Sequence, residues 1–169
     1  MRDDGLWWEG SSSYHYYALA ALVNLAQVVV GHLPGGLGHV NVTVSMLFAG
    51  ISGSSTADAA GIGALLIPAM KKEGYDSSFT VAITACSSVM GVIIPPSIIM
   101  IVWGGLMSVS IGGLFLAGIV PGVLITFTLM GATLIFAKVR KYPVGKRSSF
   151  REFCRAFGHA ALALVTPAI

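Results

Sequence analysis

Charge is what this sequence has least of. Of 169 residues, 10 are lysine or arginine and 7 are aspartate or glutamate. Asp58 is the one formally charged side chain between Glu9 and Lys71, and from Ser77 to Ala137 there is none. A soluble domain needs a solvated polar surface. These gaps, with 55% hydrophobic residues and a mean hydropathy of +0.82, therefore put the chain in the integral membrane class. Cysteine is scarce too: Cys86 and Cys154 form no CxxC or Cys/His spacing, which suggests neither a disulfide nor a metal site. His15, His32, His39 and His159 make no HExxH pattern and read as interfacial or packing residues. No GxxxxGK(S/T) phosphate loop is visible, hence no ATP site. The net charge of +3 is not a nucleic-acid footprint, because the basic residues lie in one connecting segment rather than on a folded face.

What is present is organised around AGISGSSTADAAGIG, residues 49–63, inside an apolar stretch from about Val40 to Met70. About thirty helical residues would extend roughly 45 Å, well beyond a hydrocarbon core of about 30 Å. Gly50, Ser52, Gly53, Ser54 and Ser55 are weak helix formers, so a break is expected there. The segment 36–71 then reads as a re-entrant hairpin of two half-helices, each of about ten to fifteen residues. At its tip the first half-helix offers carbonyl oxygens and the second offers N–H groups, a pairing suited to a cation beside an anion. Asp58 should not face lipid. Three roles stand open for it: a capping box with Ser55, direct ion or proton binding, or pairing with a polar group elsewhere.

Residues 1–16 read as an unstructured polar and aromatic tail without signal-peptide features. Residues 17–35 carry apolar positions at helical spacing and suit an amphipathic interfacial helix. A broken transmembrane helix is expected over 77–107, because Pro95 and Pro96 lack N–H groups and deprive the carbonyls of Gly91 and Val92 of helical partners. Before that break, Thr84, Ser87, Ser88 and Gly91 form a small and hydroxyl stripe. It suits either close helix packing or, opposite the hairpin tip, an oxygen-lined cation site. Residues 110–138 make a further crossing, which Pro121 is expected to kink. Segment 139–158 is basic and hence cytoplasmic by the positive-inside rule, which puts the KKEGYD turn (71–76) and both hairpin ends on the same side. Residues 159–169 read as the start of a truncated membrane helix.

The stretches GHLPGGLGHVNVTVSMLFAGISGSSTADAAGIG (31–63), PAMKKEGYD (68–76), GVIIPPSIIMIVWGG (91–105) and SIGGLFLAGIVPGVL (110–124) together resemble the large membrane subunit of the tripartite ATP-independent periplasmic (TRAP) transporters, of the ion transporter superfamily. The resemblance runs from about Leu19 to the end. It implies an all-α integral membrane fold that is one repeat of an inverted-repeat, elevator-type transporter. The implied activity is sodium-coupled uptake of organic acids such as C4-dicarboxylates or sialic acid. The implied setting is the bacterial inner membrane, as a multi-pass protein. Partners would be a small membrane subunit, a periplasmic substrate-binding protein, the remaining part of the large subunit and the lipid bilayer; the coupling ion would be Na+. By resemblance, sodium would be met by Ser52, Gly53, Ser54, Ser55, Ser87, Ser88, Gly91 and Val92. Substrate would be met by Ser55, Thr56, Pro95, Pro96 and Ser97.

Two other readings compete. The chain could be an inactive structural fragment of such a permease. Alternatively, GISG (50–53) resembles the GxSG motif of rhomboid intramembrane serine proteases, with Ser52 as nucleophile and His159 as base. That chemistry needs the two within hydrogen-bond reach, yet His159 follows the cytoplasmic basic segment. The carrier reading entails no enzymatic step.

Overall fold

The computed structural model describes residues 19–143 and 156–158, and the regular elements among them are helices. They are α1 (Leu19–Val30), α2 (Gly36–Ser52), α3 (Ser55–Lys72), α4 (Ser77–Ser88), α5 (Met90–Ile93), α6 (Ile98–Leu106) and α7 (Ile111–Arg140). The N-terminal tail, most of the basic segment 139–158 and the stretch 159–169 lie outside the described residues.

α2 and α3 form an antiparallel hairpin: Gly61 abuts Phe48, and Asn41 Nδ2 lies 3.8 Å from Met70 Sδ. Only Gly53 and Ser54 separate the two helices. Gly53, at φ +60°, ends α2 with its N–H on the Ala49 carbonyl, a left-handed position that glycine takes without a Cβ penalty. The half-helices are 17 and 18 residues long, not ten to fifteen. Ser52 and Ser55 stay helical because packing outweighs their weak propensity. α1 lies along this hairpin, with Leu22 and Ala26 fully buried and Leu19 against Gly61.

α4 runs beside α2 and joins it through buried polar side chains. Asn41 Nδ2 donates to Thr84 Oγ1 at 2.7 Å, Ser87 Oγ donates to Asn41 Oδ1 at 3.1 Å, and Ser45 Oγ donates to Ser87 Oγ at 2.8 Å. In hydrocarbon such groups need partners within the protein. Replacing Asn41 with leucine keeps most of the volume but removes the centre of this network. The expected cost is about 0.5–2 kcal/mol, read as a lower thermal midpoint in detergent; an unchanged midpoint would contradict it.

The helix begun by α4 breaks twice. Val89 interrupts it after Ser88, and the chain then bends through Ile94, Pro95 and Pro96, with Ile94 and Ser97 extended, before α6 begins. α6 then doubles back through Ser110, whose hydroxyl caps α7 by accepting from Gly113 N at 3.2 Å. α7 passes the break where Gly118 and Gly122 meet Ile93 and Ile94. It ends beside the open end of the hairpin, where Gly38 meets Thr133 and Phe79. There Arg140 Nη1 pairs with Asp76 Oδ2 at 2.7 Å, and the rings of Tyr75 and Tyr142 lie 4.4 Å apart. Burial pushes the Tyr75 hydroxyl up to about 12, so it is a neutral phenol at physiological pH. The KKEGYD turn and the end of α7 thus share one end of the fold.

By length and composition, Ser77–Leu106 and α7, 30 residues each, are long and apolar enough to cross a membrane. Leu116, Val120 and Phe127 on α7 are each about 70% exposed, a face suited to lipid. α7 measures about 45 Å and α2 about 26 Å. The hairpin tip lies level with the interior of α7 rather than with its far end.

Candidate functional site

The tip of the hairpin and the proline break meet. Ile98 N donates to the Gly53 carbonyl at 3.2 Å. A Cβ on Gly53 would lie 2.7 Å from the Pro96 carbonyl oxygen, so glycine is required there by contact as well as by φ. From the other side, Gly91 of α5 presses on the first turn of α3. Its missing Cβ would stand 2.5 Å from Asp58 Oδ2 and 2.9 Å from the Ser54 carbonyl carbon. The peptide bond between Pro95 and Pro96 is cis.

Asp58 is fully buried. Ser52 Oγ donates to its Oδ1, and its Oδ2 has no hydrogen-bond partner among the described residues. This corrects the capping-box expectation. The N-cap of α3 is Ser54, not Ser55; its hydroxyl accepts from Ala57 N at 3.5 Å. The Asp58 carboxylate, placed one turn into α3, reaches back across the tip to the last residue of α2. Three consecutive polar residues competed for the cap, and the left-handed Gly53 makes Ser54 the first extended residue before the helix.

Ser54 Oγ and Thr56 Oγ1 share a hydrogen bond of 3.0 Å. Ser97 is buried and caps α6, accepting from Met100 N at 3.4 Å. Two helix N-termini, those of α3 and α6, therefore open at the same junction. Pro95 and Pro96 have no N–H to offer the carbonyls of Gly91 and Val92, four residues back. The arrangement combines hydroxyls, backbone carbonyls and a carboxylate with two helix N-termini. It can hold a small cation by oxygen and an anion by N–H groups.

The structure thus brings together Ser52, Gly53, Ser54, Asp58, Gly91, Pro96 and Ser97. Ser87 and Ser88 lie lower. Ser87 belongs to the α2–α4 network, and Ser88 Oγ donates to the Ala85 carbonyl at 2.8 Å. Asn41 and Ser45 escaped the sequence reading, although positions 41, 45 and 52 fall on one face of α2. Among the described residues no three His, Cys, Asp or Glu side chains cluster. His39 is fully buried in α2, and His159 lies outside the described residues.

Comparison with known proteins finds similar sequences over most of the chain. The model of the family described as "Tripartite ATP-independent periplasmic transporter, DctM component" matches residues 15–169. The sialic acid TRAP transporter permease protein SiaT of Haemophilus influenzae (strain 86-028NP) is 44% identical over 146 residues, covering 86% of this chain and 24% of that protein. The sialic acid TRAP transporter large permease protein SiaM of Vibrio cholerae is 41% identical over 148 residues, 88% of this chain and 35% of that protein. The C4-dicarboxylate TRAP transporter large permease protein DctM of Pseudomonas aeruginosa is 42% identical over 132 residues, 78% and 31% respectively. The chain spans 24% to 35% of the length of these relatives.

Proposed function

Because the chain belongs to the family of the DctM component of tripartite ATP-independent periplasmic transporters, we propose that it supplies one ion-binding repeat of a sodium-coupled carrier for organic acids. The observation that carries the proposal is the meeting of the Gly53–Ser54 tip with the Pro95–Pro96 break. Unpaired backbone at membrane depth persists only where it lines a protein-enclosed or wet site. Sodium, as co-transported cargo, would be held by oxygens of Ser52, Gly53, Ser54, Ser55, Gly91 and Val92, with Ser87 and Ser88 supporting the wall from a turn below. A carboxylate would sit at Ser55, Thr56, Pro95, Pro96 and Ser97, where the N-termini of α3 and α6 open.

The short hairpin beside the longer α7 supports a re-entrant element. The relatives' printed substrates, sialic acid and C4-dicarboxylate, support a carboxylate-bearing cargo. The full carrier would include the rest of the large subunit, a small membrane subunit and a periplasmic binding protein in the bacterial inner membrane, and it would move cargo by elevator-like displacement. The protease alternative finds little support, since Ser52 donates its hydroxyl to Asp58.

The test is thermal unfolding of the purified chain in detergent, in sodium or choline chloride at equal ionic strength. A ligand that binds the folded state alone raises its midpoint by mass action. Sodium is expected to raise the midpoint by about 3–6 °C, and a Ser54→Ala/Ser55→Ala variant should lose that gain. No sodium-specific gain would favour an inactive fragment; a gain kept by the double variant would move the ion elsewhere.

A further inference from the structure

The open end of the hairpin gathers more positive charge than its acidic residues neutralise. Lys71 and Lys72 close α3, Lys138 and Arg140 lie in the last turn of α7, and Lys141 caps it. All five are exposed. The Asp76–Arg140 ion pair at 2.7 Å and the Tyr75–Tyr142 ring contact at 4.4 Å bring the α3–α4 turn against the end of α7. Asp76 is taken up by Arg140. Lys71, Lys72, Lys138 and Lys141 are then left with Glu73 as the other acidic residue of that turn.

One to two turns inward of Lys71 and Lys72 on α3, and within the last two turns of α7 beside Lys138 and Lys141, the same helices expose uncharged residues. On α3 these are Ala64 and Pro68; on α7 they are Ile135, Phe136 and Val139, at 65%, 46% and 75% exposure. Apolar surface ending in ammonium groups follows the order in which a phospholipid presents acyl chains and then phosphate. A nucleic acid or an acidic peptide would match the charge and leave the apolar part bare.

We propose that this end of the fold seats an anionic phospholipid, its phosphate between Lys71/Lys72 of α3 and Lys138/Lys141 of α7 and its acyl chains along Ile135, Phe136 and Val139. The proposal rests on the membrane reading above but needs neither sodium nor a carboxylate cargo. The chain, purified in neutral detergent, is titrated in low-salt choline chloride with short-chain phosphatidylglycerol, short-chain phosphatidylcholine or inorganic phosphate. Phosphatidylglycerol is expected to raise the unfolding midpoint by about 3–5 °C at roughly tenfold excess over its dissociation constant. Phosphatidylcholine and phosphate should give less than about a third of that gain, and about 0.5 M choline chloride should remove most of it.

A Lys71→Gln/Lys72→Gln/Lys138→Gln/Lys141→Gln variant should lose the gain, and the matching arginine variant should keep it. An equal gain from phosphatidylcholine would show a general lipid effect. An equal gain from phosphate would show a free-anion site. A gain that survives in the glutamine variant would put binding on Lys146, Arg147, Arg151 or Arg155. Each of these overturns the proposal. The sodium-dependent shift, measured on the same variants, should not change, so either reading can fail alone.

Discussion

Replacing Gly91 with alanine should abolish the sodium-dependent rise in midpoint and lower transport by the assembled permease by more than about tenfold, a factor that a cost of about 1.4 kcal/mol already produces. The added Cβ would stand 2.5 Å from Asp58 Oδ2 and 2.9 Å from the Ser54 carbonyl carbon. The carboxylate could swing away, but Ser54 is backbone and is held between two helices. α5 must therefore withdraw from the tip, at a cost of about 1–3 kcal/mol for an overpacked interior. Withdrawal would part the carbonyls of Gly91 and Val92 from the tip oxygens, and the proposed site would lose two of its six donor residues. Gly131→Ala is the control, because nothing lies within 4 Å of that position and alanine is the better helix former. If Gly91→Ala retains the full sodium shift, the ion does not sit between α5 and the tip.

The second large effect belongs to Asp58, and it separates geometry from charge. Asp58→Ala removes the acceptor for Ser52 and empties a fully buried position. A loss of about 2 kcal/mol is expected, or about 4–8 °C in midpoint, together with sodium affinity at least about tenfold weaker. Asp58→Asn keeps an oxygen for Ser52 and nearly the same volume. If the carboxylate serves to tie the end of α2 to the first turn of α3, the asparagine variant should bind sodium within about threefold of the parent, a change of less than about 0.7 kcal/mol. Equal loss in both variants would mean instead that the negative charge itself neutralises the ion. The readout is sodium titration followed by midpoint, with choline as the reference salt.

Much of this was legible from residue types. The Gly50–Ser55 cluster marks the break between α2 and α3, the adjacent prolines mark the break before α6, and the charge-free run to Ala137 marks α7. Asp58 could be placed inward because an isolated carboxylate is too costly in lipid. The lengths of the half-helices were not legible. Serine's weak propensity argued for a wider break, yet the Ser52–Asp58 bond at the tip and packing by α5 hold the two helices to within two residues of each other. Nor was the cap, since Ser54 and Ser55 are chemically equivalent and only the backbone angle at Gly53 chooses between them. The pairing of Asn41 and Ser45 with Thr84 and Ser87 joins residues 42 to 46 positions apart, and no local pattern reports it. That pairing weakens the case for reading the hydroxyl stripe as cation ligands alone, because its lower part already serves helix packing.

The ion pair at the base has a consequence for biogenesis. Asp76 and Arg140 are 64 residues apart, so at roughly 5–20 residues per second the ribosome needs about 3–13 s to supply the second partner after the first. The bonds from Asn41 and Ser45 to α4 need only 42 to 46 residues, and their partners emerge before α5 and α6 do. During synthesis, then, the hairpin and α4 can already be bonded together while the base is open. Arg140 and Tyr142 arrive later, and their arrival closes the base around helices that can already be bonded without them.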